Sequence, residues 1–364
     1  MPNNIKNKNI VIGVCGGIAA YKSIEVLRLL QKRGANVRVI MTHNAEAFAG
    51  RLTFEALSGR SVCTSLFEKG EDVSIKHIQW ANDADAVIIA PATANIIAKL
   101  ANGLADDALS TFMLAVKSPV ILCPSMNTNM YENRAVQRNL DVLEADGYHI
   151  VEPGEGELAC GTSGAGRLPE PAYIVDRLLN RLAPKDLKGK RVLVTAGPTR
   201  ENIDPVRFIS NPSSGRMGYA VARAAEFRGA KVVLIAGPTN LPDPVNIDVV
   251  KVQTAGDMAL AVFDHMDDSD IIIKVAAVSD YRPKERAEQK IKKQKDEIVL
   301  PLQKTQDILK EIGMRKKNRI LVGFAAETED LEKNAGKKLF EKNLDIIVGN
   351  LVNQPRSGFG TETN

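Results

Sequence analysis

Several short stretches carry residue types that suit chemistry at their spacing. Gly13-Val-Cys-Gly16-Gly17-Ile-Ala-Ala joins an apolar run to a helical pattern. Small residues there let main-chain N–H groups approach a phosphate at a helix N-terminus. Alone, the same glycines are what tight strand–helix packing needs. The stretch is not GxGxxG, and the next apolar run ends in Met41-Thr42 rather than in an acid for an adenosine ribose. NAD is therefore disfavoured, and a mononucleotide with one phosphate, such as FMN, fits better. Pro91-Ala-Thr-Ala-Asn95 and Pro124-Ser-Met-Asn127 follow two further apolar runs. Small and hydroxyl side chains at the carboxyl ends of neighbouring strands make a binding site.

His77 could serve as a base, although a lone histidine is read first as structural. Cys160 lies in a glycine-rich stretch, Gly154–Arg167, whose composition suits a lid more than a core. In the second half, Ser213-Ser214-Gly215-Arg216-Met217-Gly218 leads into a helical pattern and could bind phosphate. No GxxxxGK[ST] is present, which excludes a P-loop by motif. Arg282–Lys295 is strongly basic and, without context, reads as a solvated loop. Lys338 and Lys342 stand four apart on a helix predicted over Leu331–Lys342, a like-charge spacing that a triphosphate would relieve. Two solvated lysines are the plain alternative.

These residues need strands and helices to hold them. Ile10–Val14, Val37–Met41, Ala86–Ala90, Val120–Cys123 and Tyr148–Val151 read as strands alternating with helices such as Ala19–Arg33. After a polar break at 183–190 the pattern restarts. Its strands are Arg191–Ala196, Lys231–Ala236, Ile271–Val275, Ile320–Phe324 and Asp345–Val348, with a helix over Gly218–Phe227. The expectation is an α/β protein of two doubly wound domains, 1–182 and 191–364, with mostly parallel sheets. The 364 residues, 44% hydrophobic and 25% charged, fit that size and class. A net charge of +4 does not suggest a nucleic-acid partner. Cys15, Cys63, Cys123 and Cys160 form no CxxC, and His43, His77, His149 and His265 form no HExxH, so a zinc site is not expected. The polar N-terminus and glycine-broken apolar run suggest neither a signal peptide nor a membrane span, so a cytoplasmic protein is expected.

Taken in order, Gly-Gly-Ile-Ala-Ala-Tyr-Lys, His77-Ile with Asp85, Pro-Ala-Thr-Ala-Asn, Pro-Ser-Met-Asn-x-x-Met and Ala-Cys160-Gly resemble the homo-oligomeric flavin-containing cysteine decarboxylases. The second half has Thr-Ala-Gly-Pro-Thr-Arg-Glu, Asp-Pro-Val-Arg-Phe-Ile-Ser-Asn-x-Ser-Ser-Gly-x-Met-Gly, Ala-Ala-Val-x-Asp-Tyr, Lys-Ile-Lys-Lys and Gly-Phe-Ala-Ala-Glu-Thr. That set is similar to phosphopantothenate–cysteine ligase. The resemblance spans essentially the whole chain and points to the fused bacterial family of coenzyme A biosynthesis.

The resemblance implies a flavodoxin-like FMN domain and a Rossmann-like ligase domain. In the first, the thiol of N-(4′-phosphopantothenoyl)cysteine is oxidised to a thioaldehyde, which provides an electron sink. CO2 then leaves, and the enethiol is reduced to 4′-phosphopantetheine with no net redox change. His77 would be the base, Asn127 would hold the substrate carboxylate, and Cys160 would be the acid for the final reduction. FMN would lie against Gly16, Gly17, Ile18, Ala19, Thr42, Ala92, Thr93 and Ser110. In the second domain, 4′-phosphopantothenate reacts with CTP to give an acyl-cytidylate, and cysteine displaces CMP. Arg207 and Asn211 would serve acyl-cytidylate turnover, with the Asn211 amide on the activated acyl group, and Lys290 would act in the ligase site. CTP contacts would come from Ser214, Gly215, Asp280, Lys290, Phe324, Lys338 and Lys342, with Mg2+ on Asp280. Decarboxylase trimers and ligase dimers are implied, up to a dodecamer.

The chain departs from the family pattern at Lys304-Thr-Gln-Asp-Ile308, at Asn350-Leu351 and at Asp83-Ala-Asp85. It also stops at Asn364, where family members continue with another strand and helix, so a truncated ligase half is expected. A flavin-binding regulatory protein without catalysis is the alternative, and His77, Asn127 and Cys160 together argue against it. A nicotinamide reductase is disfavoured by the missing fingerprint.

Overall fold

The computed structural model describes residues 5–65, 73–158, 161, 163–292 and 298–351, and for 73–77 only the main chain. Two compact units divide the chain between Ala183 and Pro184. The first unit runs β1 (Asn9–Val14), α1 (Lys22–Lys32), β2 (Asn36–Met41), α2 (Arg51–Ser58), α3 (Val73–Asp83), β3 (Ala86–Ala92), α4 (Ala94–Ala101), α5 (Ala108–Ala115), β4 (Val120–Pro124), α6 (Thr128–Tyr131), α7 (Arg134–Ala145) and β5 (His149–Ile150). A ribbon of β6 (Gly154–Glu157) and β7 (Ser163–Arg167) follows, then α8 (Pro171–Leu182).

Strands β1 to β5 make a parallel sheet in the order β2-β1-β3-β4-β5, the flavodoxin-like winding. Helices cover both faces, so these strands can be continuous apolar runs, and every residue of β3 is buried. The sequence pattern ends this strand at Pro91, yet pairing with β4 resumes at Ala92, after a register shift. Fully buried Ile89, Ile96, Leu109 and Phe112 belong to the cluster between sheet and helices. Each such side chain contributes about 1.5–3 kcal/mol by leaving water. The described arms of the glycine-rich stretch, read from sequence as a lid, pair antiparallel as β6 and β7. Cys160 lies outside the described residues.

The second unit contains β8 (Arg191–Ala196), β9 (Arg200–Asn202), β10 (Phe208–Ser210), α9 (Arg216–Phe227), β11 (Lys231–Ala236), β12 (Asp248–Lys251), α10 (Ala255–Met266), β13 (Ile271–Lys274), β14 (Tyr281–Pro283), β15 (Leu302–Lys304), α11 (Ile308–Arg315), β16 (Ile320–Glu327), α12 (Leu331–Glu341) and β17 (Ile346–Leu351). Its parallel sheet has the order β12-β11-β8-β13-β16-β17. Counted within the sheet, that is the 3-2-1-4-5-6 order of the Rossmann winding. The edge strand β12 and helix α10 were not expected from the sequence. β12 is short and has exposed charged ends, so no apolar run marks it. Helix α10 is set by a capping box, in which Thr254 and Asp257 each accept the other's main-chain N–H.

Both sheets reverse their winding once. In the first unit the reversal lies between β1 and β3, and in the second between β8 and β13. Connections leave in opposite directions there, and open a crevice at the carboxyl ends of the strands.

Candidate functional site

A cleft of about 790 Å³ opens at the reversal in the first unit. It is lined by Gly16, Gly17, Ile18 and Ala19 from the turn after β1, by Thr42 after β2, and by Thr93 after β3. Gly16 admits no side chain, because a Cβ there would lie 2.6 Å from the Asn44 Cβ and 2.8 Å from its carbonyl carbon and oxygen. The main chain therefore borders the cleft directly at this turn. Ile18 is 65% exposed, and Tyr21 and Met130 also present apolar surface to the same space. A glycine turn for a phosphate beside exposed apolar side chains fits a flavin mononucleotide.

Local capping places the polar residues. Thr93 caps α4 by accepting the Ile96 N–H at 3.4 Å. Asn127 caps α6 by accepting the Asn129 N–H at 2.9 Å and lines the cleft. Two residues expected at the flavin do not line it. Ala92 is buried at the end of β3, and Ser110 is buried in the first turn of α5. The Ser110 hydroxyl oxygen accepts the Asp107 N–H at 3.1 Å, completing a capping box, and the hydroxyl also donates to the Asp107 carboxylate at 2.9 Å, so helix formation claims it. His77 lies on α3, and its side chain is outside the described residues.

Lys99 and Asp107 line this cleft and were not expected from the sequence. Lys99 pairs with Asp106 at 2.6 Å and Asp107 at 2.7 Å. Burial would raise the Asp107 carboxyl, but hydrogen bonds from Lys99 and Ser110 outweigh it and hold the group below the usual carboxylate range. Nothing in the local pattern marks this pair, since eight residues separate Lys99 from Asp107 across a helix end. Cys15, in the glycine turn, is fully enclosed, and burial pushes its thiol up to about 12. It therefore does not supply a thiolate at neutral pH.

The second unit has a cleft of about 730 Å³ at its own reversal. Asn211, Ser214, Gly215, Asp280, Phe324, Lys338 and Lys342 all line it. Gly215 adopts φ +77° to lead into α9, a conformation glycine accepts without strain. A Cβ at that position would also approach the Thr239 Cγ2 to 2.6 Å. Asn211 donates its amide to the carbonyl oxygens of Ala277 and Val278 at 3.1 and 3.2 Å. Those contacts hold the loop after β13 beside the cleft that Asn211 lines, where the resemblance implies a contact with the activated acyl group. Lys338 donates to the Phe324 carbonyl at 2.9 Å. Lys342 pairs with Asp307 at 2.8 Å. The two lysines are therefore held by the fold, not merely solvated.

Arg207 and Lys290 do not line the cleft. The Arg207 guanidinium lies 3.5 Å from Asp204 and donates to the Ile291 carbonyl at 3.2 Å. Asp204 in turn accepts the Ile291 N–H at 3.2 Å. Both residues thus anchor the basic loop, and Lys290 is exposed on it. Residues 293–297 of that loop lie outside the described residues.

Lys304, Thr305, Gln306 and Asp307, where the chain departs from the family pattern, line the cleft, and so does Lys274, which was not expected there. Their signal was faint: Lys274 is one charge at the end of an Ile run, and 305–307 follow a three-residue strand that ends at Lys304. Among the described residues no group of three or more His, Cys, Asp or Glu side chains could hold a metal ion. Asp280 beside a lysine-rich cleft fits Mg2+ bound largely through substrate phosphates.

Known proteins resemble both units. Residues 1–183 match the family described as Flavoprotein, and 187–364 match the DNA/pantothenate metabolism flavoprotein C-terminal domain. The chain is 51% identical to the coenzyme A biosynthesis bifunctional protein CoaBC of Bacillus subtilis, over 99% of this chain and 90% of that protein. Identity to the protein of that name from Vibrio cholerae is 47%, over 99% and 91%. For Escherichia coli K12 it is 46%, over 99% and 90%. The chain belongs to the family of bifunctional coenzyme A biosynthesis proteins, which joins a flavoprotein unit to a pantothenate-metabolism unit.

Proposed function

We propose that the second unit ligates cysteine to 4′-phosphopantothenate at the expense of CTP, and that the first decarboxylates the product to 4′-phosphopantetheine with FMN. The observation that carries this reading is one chain with both family halves, each opening a cleft at the reversal of its sheet. A regulatory flavin-binding protein without catalysis is not favoured, since similarity to the bifunctional enzymes runs through both halves.

In the first unit, Gly16, Gly17, Ile18, Ala19, Thr42 and Thr93 would hold FMN. Bound FMN supplies reversible two-electron chemistry, so the thiol-bearing carbon can be oxidised before CO2 leaves and reduced afterwards. His77 takes the thiol proton as oxidation begins. Asn127 orients the substrate carboxylate through its amide. Cys160 returns a proton during the final reduction.

In the second unit, Lys338 and Lys342 neutralise the triphosphate, and the α9 N-terminus after Ser214 and Gly215 favours negative charge. Phe324 borders the nucleotide. Mg2+ on Asp280 would offset the charge of the leaving pyrophosphate. Asn211 shapes the loop on which attack occurs, and Arg207 positions the Lys290 loop. We further propose a cytoplasmic homo-oligomer of trimeric decarboxylase and dimeric ligase units; no helix of the described residues is long and apolar enough to cross a membrane.

The test is reconstitution with 4′-phosphopantothenate, cysteine and each nucleoside triphosphate, followed by mass spectrometry and absorbance spectroscopy. A yellow protein that forms 4′-phosphopantetheine and CMP only with CTP supports the reading. A colourless protein that binds NADPH, or amide formation indifferent to CTP, overturns it.

A further inference from the structure

Lys274 ends β13, the strand beside which the second sheet reverses its winding. Its neighbours in the ladder are Thr195 of β8 and Gly323 of β16. It therefore stands at the centre of the sheet, not at a rim, and its side chain lines the ligase cleft. Charged side chains are rare at such positions unless paired. Here the carboxylates in reach are committed or distant. Asp307 is bonded to Lys342 at 2.8 Å and caps α11 by accepting the Lys310 N–H at 3.0 Å. Asp280 makes no ion pair with Lys274 within 4.0 Å, and among the described residues the Lys274 ammonium has no hydrogen-bond or ion-pair partner. A cation placed centrally, facing a cleft and without a protein counter-ion, is built for an anion that comes from outside.

We propose that Lys274 is a third phosphate-binding cation of the ligase cleft, contacting the triphosphate together with Lys338 and Lys342. The inference rests on the reading of this cleft as the nucleotide site. The groups that face Lys274 are Lys338 and Lys342 from α12, Asp307 from the start of α11, and Asp280 from the loop after β13. Burial lowers its proton affinity most, the two lysines lower it further, and the two carboxylates only partly compensate, which brings it to about 8. A triphosphate reverses that balance, because an adjacent anion favours the charged ammonium. Nucleotide binding is thus coupled to uptake of a proton in mildly alkaline solution, and the free cleft avoids part of the repulsion among three half-buried cations.

The experiment is titration calorimetry on the full chain with Mg2+ and CTP, cytidine or inorganic tripolyphosphate, at pH 7 and pH 8, in two buffers of different ionisation enthalpy. For the native protein, CTP binding at pH 8 takes up roughly half a proton, as expected for a group that titrates near 8 when free, and distinctly less at pH 7. Lys274→Met weakens CTP and tripolyphosphate by about 10- to 100-fold, leaves cytidine unchanged and removes the uptake. Lys274→Arg restores the affinity without the uptake, because the guanidinium stays charged. The uptake by the native protein needs no variant, so a folding defect in Lys274→Met would not leave the question open. Native-like CTP and tripolyphosphate affinity in Lys274→Met, an equal loss for cytidine, or no proton uptake by the native protein would each overturn the proposal. Triphosphate binding that depends on Lys274 but does not prefer CTP supports the role of Lys274 and refutes the choice of nucleotide. A native protein that binds no triphosphate overturns both.

Discussion

Lys342 and Asp307 form an ion pair at 2.8 Å that ties the end of α12 to the N-cap of α11 in the lining of the second unit's cleft. Burial would raise the Asp307 carboxyl. The hydrogen bonds from Lys342 and the Lys310 N–H, with the charges of Lys342 and Lys274, outweigh it and hold the carboxyl below its usual range. Asp307 thus remains an anion beside a site proposed for a triphosphate.

That arrangement predicts a magnesium effect. Asp307→Asn keeps an N-cap side chain but removes a negative charge and releases Lys342. CTP should bind several-fold more tightly than to the native protein when Mg2+ is absent, and the difference should shrink when it is present. Calorimetry with and without EDTA measures this. A weaker affinity in both conditions would mean that Asp307 helps to hold the nucleotide.

Asp204 predicts a pH effect on stability. Burial would raise its carboxyl, but the N–H groups of Val206, Arg207 and Ile291 and the charge of Arg207 outweigh this and depress it. A depressed carboxyl stabilises the fold fully above its unfolded value, near 4, and loses that contribution as pH falls through the folded value. Asp204→Asn should therefore lower the melting temperature of the ligase unit at pH 7. It should also flatten the decline from pH 5 to 3. Calorimetric scans across that range would refute the assignment if native and variant declined in parallel.

Asn211→Asp should lower amide formation by about tenfold or more, because the loop after β13 loses two amide hydrogen bonds worth about 1 kcal/mol each. A carboxylate would face the carbonyl oxygens of Ala277 and Val278, where an amide now donates. Rapid quench with labelled CTP checks the step, and accumulation of acyl-cytidylate is expected. Wild-type turnover by the variant would remove Asn211 from the site.

Gly16→Ala should release the flavin. Its Cβ would press on the Asn44 main chain at 2.8 Å, and overpacking of this kind costs about 1–3 kcal/mol. Absorbance after gel filtration gives the bound flavin. A fully yellow variant would show that this turn does not border the cofactor.

His77→Asn should keep flavin and ligase activity but release no CO2, while Cys160→Ala should release CO2 and accumulate a product two hydrogens lighter than 4′-phosphopantetheine. Mass spectrometry separates the two outcomes. Untouched substrate in both variants would place Cys160 before decarboxylation.

Much of the architecture was legible in the residues. Apolar runs such as Arg191–Ala196 and Lys231–Ala236 are the strands β8 and β11 at the same bounds, because strands covered on both faces must be apolar throughout. Glycine turns after β1 and before α9 were visible for a similar local reason: a main chain that approaches a ligand or another main chain admits no Cβ. Strand order was not legible, because it depends on pairings between distant residues, such as Ile271 with Val192. The tertiary structure alone therefore decided where the sheets reverse and which turns share a cleft. It drew Ser110 into a helix cap and Arg207 into a loop anchor, although both had been chosen for their side chains. It also turned Lys274, in sequence a single charge closing an isoleucine run, into a central group facing a cleft. A side chain's chemistry is written in the sequence, but its surroundings come from segments folded against it from far along the chain.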